Sequence, residues 1–205
     1  MNSALADGGQ LLDRFAPLLE AYDREAMDRV GDMTCGVFAE GFVIGYVNAA
    51  WFDFGRANGA SRVWGVGECL LDAITEPLRG YYAERFAHVL ATGEPWERNY
   101  DCPSDATNRT FRLRVLPVGE RQGLLMTHSL RHDGPHAEGI AFADRYHRAA
   151  NGLITQCAHC RRLRRVTAPD RWDWVPAVVA TEIPGITHGL CDACFAYYFG
   201  PGAFS

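Results

Sequence analysis

The chain has 205 residues, 48% hydrophobic and 22% charged, which places it among globular proteins with room for one full core and a smaller appended unit. Its formal charge of −5 excludes a broadly basic nucleic-acid-binding surface, leaving only a local basic face open. No run approaches the roughly 18 apolar residues of a membrane helix, and the opening "MNSALADGGQ" lacks the basic start and apolar core of a secretory signal. A cytoplasmic protein without membrane contact is therefore expected.

Leu11, Leu12, Phe15, Leu18, Leu19, Tyr22 and Ala26 recur at helical spacing and predict an amphipathic N-terminal segment. Pro17 predicts a kink or a fresh helix start within it. The apolar stripe has two uses, packing on the chain's own sheet or pairing two copies as a homodimer, and the sequence leaves both open.

From Thr34 the pattern turns to short β-rich runs, "TCGVFAE" and "FVIGYVN", which predict a hairpin turning at Gly41. A short helix or turn is expected over 49–60 and a glycine-led loop over 65–74. Leu78, Tyr81, Tyr82, Arg85, Phe86 and Val89 mark a longer helix that Gly93 ends. Three strands follow at 96–102, 110–118 and 123–130. In the middle one Phe111, Leu113 and Val115 alternate with Thr110, Arg112 and Arg114, so one face is buried and the other wet. Strands in runs with helices gathered between them predict an α+β fold on an antiparallel sheet. Gly134 and Pro135 mark a boundary, and a helical connector is expected beyond them.

The stretches "GYVNAAW", "GVGECLLDAI", "VLATGEP", "ERNYDCPSDATNRTFRLRVLPV" and "GLLMTHSL" together resemble a PAS sensor domain over about residues 10–131. The resemblance implies a five-stranded antiparallel sheet with helices on one face, often around a ligand pocket, and a regulatory role. Asn48, Trp51, Cys69, Tyr82 and Phe86 are the candidate pocket residues for a small-molecule ligand. Haem-binding members often carry an iron-ligating histidine on the helix before the third strand, and the comparable place here holds Tyr82. Cys69 stands in "GECLLD", which lacks the Arg-Asn pair of flavin-binding members. Haem and flavin thus remain alternatives that the residues do not favour, and core packing competes with a ligand role at all five positions. The sequence presents no catalytic motif, so an enzyme is not expected.

The strongest motif lies near the C-terminus. "QCAHC" and "GLCDAC" supply two Cys-x-x-Cys pairs, Cys157 with Cys160 and Cys191 with Cys194, among seven cysteines in all. Two intervening residues let a knuckle-like turn aim both sulfurs at one ion, and Zn²⁺ prefers four such ligands in a tetrahedron. Structural zinc is the expected cofactor, with a thiol–disulfide couple or an iron site as alternatives. His188 and His159 are reserve ligands whose competing roles are packing and capping. Trp172 and Trp174 are expected to cover the site.

The stretch "CAHCRRLR…W…THGLCDACFAYYF" also resembles a small cysteine-rich tail found after sensor and receiver domains in bacterial signalling proteins. Arg161, Arg162, Arg164 and Arg165 follow the first pair and read either as contacts to phosphate or a partner, or as an exposed basic turn near Asp170 and Asp173.

Four segments are expected: amphipathic helix over 1–33, PAS-like domain over 34–131, helical connector over 132–155 and zinc module over 156–205. The favoured reading is a non-catalytic signalling protein that senses a small ligand or binds a protein partner and presents the zinc module as a docking surface. A zinc-dependent DNA- or RNA-binding regulator and a haem- or flavin-binding sensor are the alternatives.

Overall fold

The computed structural model describes residues 9–58, 60, 62–181 and 183–200. The opening octet, on which the expectation of no secretory leader rests, and the last five residues of the expected zinc module lie outside them. The fold is α+β. Contacts divide the chain into two compact units, the first made of residues up to Ile74 with Tyr82–Asn99 and Arg112–Leu130. The second draws on Thr75–Tyr81, Tyr100–Phe111 and the chain from Arg131 onward.

The described part of the N-terminal segment has a two-residue strand, β1 (Gln10–Leu11), and a 3₁₀ turn over Asp13–Leu19 in which Pro17 sits. Among its described residues α-helix appears only at α1 (Arg24–Arg29), where the Asp23 carboxylate accepts the Ala26 N–H at 3.0 Å. The expected amphipathic helix is thus replaced by a strand, a 3₁₀ turn and a short helix. Pro17 lacks the N–H that a continuous helix would use, and Phe15, fully buried, is drawn into the sheet. Two glycines make that possible: a Cβ on Gly36 or Gly45 would lie 2.4 Å from the Phe15 ring.

The predicted hairpin is present as β2 (Met33–Phe38) and β3 (Ile44–Val47), which pair antiparallel. Its turn places Gly41 at φ 68°, a conformation glycine takes without steric cost. Asn48 begins α2 (Ala49–Ala57), and α3 (Leu78–Thr92) ends where the Gly93 N–H bonds the Val89 carbonyl at 2.8 Å with φ 78°. β4 (Trp96–Asp101), β5 (Thr107–Val118) and β6 (Gly123–Pro135) follow. Phe111, Leu113 and Val115 are buried, while Arg112 and Arg114 face outward and pair with Glu97.

The sheet runs β1-β3-β2-β6-β5-β4, six strands where five were expected. The extra one is β1, added at the edge of β3 through Gln10↔Val47 and Leu11↔Tyr46. No helix among the described residues is long and apolar enough to cross a membrane.

The expected helical connector is mostly irregular. β6 continues to Pro135, and helix is confined to α4 (Asp144–His147). Gly139 and the Gly152 turn at φ 81° break the helical pattern on either side. The remaining elements are β7 (Ile154–Cys157), β8 (Leu163–Arg164), β9 (Trp172–Asp173), α5 (Pro176–Ala180), β10 (Ile186–Gly189) and α6 (Asp192–Phe199). Their strands form a small sheet, β10-β7-β8-β9, over a core of Ile154, Leu163, Val175 and Val178.

Candidate metal centre

β7 delivers Cys157 to the edge of the small core, and the chain then turns sharply. The Arg161 N–H bonds the Cys157 carbonyl at 3.1 Å, the Cys157 N–H bonds the Arg162 carbonyl at 2.8 Å, and Arg161 takes φ 63° to close the knuckle. β10 runs parallel to β7 with Gly189 opposite Cys157, and the Ala158 N–H bonds the Gly189 carbonyl at 2.8 Å. Two residues later Cys191 stands at the N-cap of α6, with Cys194 in its first turn. A helix start favours negative charge, so this position suits thiolates.

The four sulfurs of Cys157, Cys160, Cys191 and Cys194 all lie within 4.8 Å of one another. A tetrahedron of thiolates held about 2.3 Å from a central ion has edges of about 3.8 Å. The Cys160 Sγ to Cys191 Sγ distance is 3.8 Å. A disulfide would bring two sulfurs to about 2.05 Å, and all four are free thiols. The Cys191 N–H also points at Cys157 Sγ, 3.5 Å away. The chemistry and spacing of the set therefore fit a metal ion.

Hydrogen bonds from Cys160, Cys191 and Cys194 hold Cys157 as the thiolate, far below its ordinary range. The same bonding to Cys157 retains the protons of Cys160 and Cys194 and pushes their pKa values up. A divalent cation displaces those protons and takes their place as the positive partner.

His159 lies outside the set. It is buried, with Nδ1 2.8 Å from the Tyr198 hydroxyl and Nε2 3.1 Å from Asp101 Oδ2, so both ring nitrogens are already engaged. Its hydrogen bond is the main cause of the lowered Asp101 pKa. His188 sits on β10 opposite Gln156, also outside the four-thiol set, where burial lowers its pKa. Trp172 packs against the thiols as expected. Trp174 instead stacks on His136 with ring centroids 3.9 Å apart.

The arginine run is divided. Arg164 Nε donates to the Pro169 carbonyl at 2.9 Å and Arg165 Nε to Asp173 Oδ2 at 2.5 Å. Arg162 is exposed, and Arg161 forms the knuckle. The Asp173 carboxylate also meets His147 Nε2 at 3.1 Å, while His147 Nδ1 accepts the Ala143 N–H at 3.3 Å. That fixes the neutral ring as the Nε2–H tautomer. Burial acts to raise the Asp173 pKa, and the hydrogen bonds from Arg165 and His147 override it, leaving the carboxyl below its usual range. Asp101 and His147 were not singled out in the sequence, because no local motif marks partners so far apart in the chain.

Each of the five pocket candidates has packing or hydrogen-bonding partners within the fold. Asn48 is fully buried and wholly used by the fold: its Oδ1 accepts the Thr34 and Trp51 N–H groups, and its Nδ2 donates to the Met27 and Asp32 carbonyls. Trp51 Nε1 donates to the Trp64 carbonyl at 2.7 Å. Tyr82 and Phe86 pack on Trp96, Phe86 also meets Phe42, and Cys69 bridges to Val43.

No family model matches this sequence, and no curated protein matches it either. What fold and site define together is an α+β protein carrying a four-cysteine cluster able to hold a metal ion.

Proposed function

We propose that this chain is a non-catalytic regulatory protein of a reducing, cytoplasmic compartment, in which a PAS-like sensor unit accompanies a structural zinc module that serves as a docking surface for a protein partner. The observation that carries the reading is the 3.8 Å separation of Cys160 Sγ and Cys191 Sγ within a set of four free thiols, the edge length of a zinc–thiolate tetrahedron. Four thiolates fill the coordination sphere and leave no position for water. Zinc there supplies folding energy instead of chemistry.

The sensor half of the reading is supported by the arrangement that the PAS resemblance implies: the β2–β3 hairpin, then helices, then three further strands in one antiparallel sheet. Arg164 and Arg165 already have partners inside the fold, which weighs against a nucleic-acid role for the basic run.

Native mass spectrometry on protein purified without a metal-affinity tag tests the proposal. One zinc per chain, lost on substitution of Cys157→Ser, is the expected result. Metal-free protein with its cysteines joined in disulfides would overturn the zinc module, and a retained organic mass would identify what the sensor unit holds.

A further inference from the structure

We propose that the groove beside the β2–β3 hairpin turn is a binding site for an amphiphilic carboxylate, a small molecule with one anionic head and an apolar body. The groove encloses 720 Å³, inside the range of about 300–1,000 Å³ typical of small-molecule sites. It lies apart from the four-cysteine cluster and shares no residue with the five positions that the PAS resemblance points to. The proposal therefore stands whether or not the zinc and sensor readings hold.

Its lining includes the apolar side chains of Leu18, Phe38 and Val43, all only partly buried by the protein itself. Its rim carries two guanidinium groups, Arg14 and Arg121, against the single carboxylate of Glu40. Arg14 lies over the Phe38 ring, 4.3 Å from its centroid. Arg121 donates from Nη1 to the Ala91 carbonyl at 2.8 Å. Among the described residues, neither arginine forms an ion pair with a carboxylate. Two cations against one carboxylate, beside apolar side chains, leave an excess positive charge that suits a ligand bringing a carboxylate and burying a hydrocarbon surface, because a guanidinium binds a carboxylate through paired, charge-assisted hydrogen bonds.

The walls are also held in place before any ligand arrives. Phe15 is pinned over Gly36 and Gly45 and meets Phe38 edge-on at 4.9 Å. Leu18 closes over Gly119, where a Cβ would come within 2.2 Å of it. The 3₁₀ turn that carries both Arg14 and Leu18 is thereby fixed against the sheet, which lowers the ordering cost of binding.

Titration of the full chain with octanoate and, separately, with octan-1-ol, followed by two-dimensional amide NMR, tests the site. Octanoate is expected to shift the Phe38–Val43 and Arg121 amides saturably and to bind at least about tenfold more tightly than the alcohol. The Arg14→Gln/Arg121→Gln double variant should lose about tenfold to a hundredfold in octanoate affinity, the size of a lost charge-assisted hydrogen bond, while its weak affinity for octanol is unchanged. Arg121→Gln alone, which gives up only a surface contact to the backbone, should show a several-fold loss and guards against a folding defect in the double variant. No saturable shift with octanoate, equal affinity for the alcohol, or octanoate binding that survives both substitutions would overturn the proposal.

Discussion

Gly45 shows how one absent methyl group sets the position of a whole segment. A Cβ there would sit 2.4 Å from Phe15 Cδ2 and 2.8 Å from Phe15 Cβ, so the ring could not swing aside without moving its own backbone. Gly45→Ala is expected to cost about 1–3 kcal/mol in urea unfolding. Part of that loss should return when Phe15→Ala is added, since the two positions share one space. His128 supplies a residue-scale pH effect. Its Nε2 is enclosed, the ring meets Trp51 edge-on at 5.7 Å, and burial lowers its pKa to about 4. The unfolded imidazole takes up its proton near pH 6.5 and the folded one only near 4, so the unfolded state binds more protons between those values. Stability from this group is complete above pH 6.5 and falls as the pH is lowered toward 4. His128→Gln should flatten that part of the stability–pH curve, measured by chemical denaturation at pH 7, 6, 5 and 4.

At the scale of the element, α4 is too short to stand on its own propensity. It is held by His147, which is fully buried, bonds Asp173 and Ala143, and stacks on Phe142 with centroids 5.5 Å apart. His147→Ala leaves a cavity and removes one hydrogen bond to a charged group, an expected loss of about 2–4 kcal/mol in urea unfolding. His147→Gln, which can still donate to Asp173, should lose less. Much of the element pattern was legible beforehand. The hairpin at Gly41, α3 with its Gly93 stop, the alternation along β5 and the two Cys-x-x-Cys pairs all rest on short-range rules of period and turn chemistry. The 3₁₀ turn at Asp13–Leu19 was not legible, because the apolar spacing there reflects a fit to glycines on distant strands. The irregular connector was missed for a similar reason: α4 stays short where flanking backbone pairs elsewhere, with the Ile140 N–H bonded to the Trp174 carbonyl. The four thiols could be matched from spacing alone, but the hydrogen bond from His159 to Asp101 could not.

At the scale of the whole molecule, the proposed zinc has a thermodynamic role. Thirty residues separate Cys160 from Cys191, and an ion binding all four thiols ties both ends of that loop to β7. Stripping the ion with a strong chelator should lower the thermal midpoint. A loss of about 4 kcal/mol corresponds to about 8–16 °C at this chain length, and added zinc should restore it. Differential scanning fluorimetry with and without chelator reads this directly, and an unchanged midpoint would contradict the structural role. The composition of the second unit carries a further consequence. It includes Tyr100–Phe111, from the middle of the chain, and with it the Asp101 carboxylate that holds His159. A recombination event that moved residues 131–200 to another gene would transfer all four clustered thiols yet strand the imidazole of His159 without its anion. The cysteine-bearing segment therefore depends on β4 for the partner of one of its buried imidazoles.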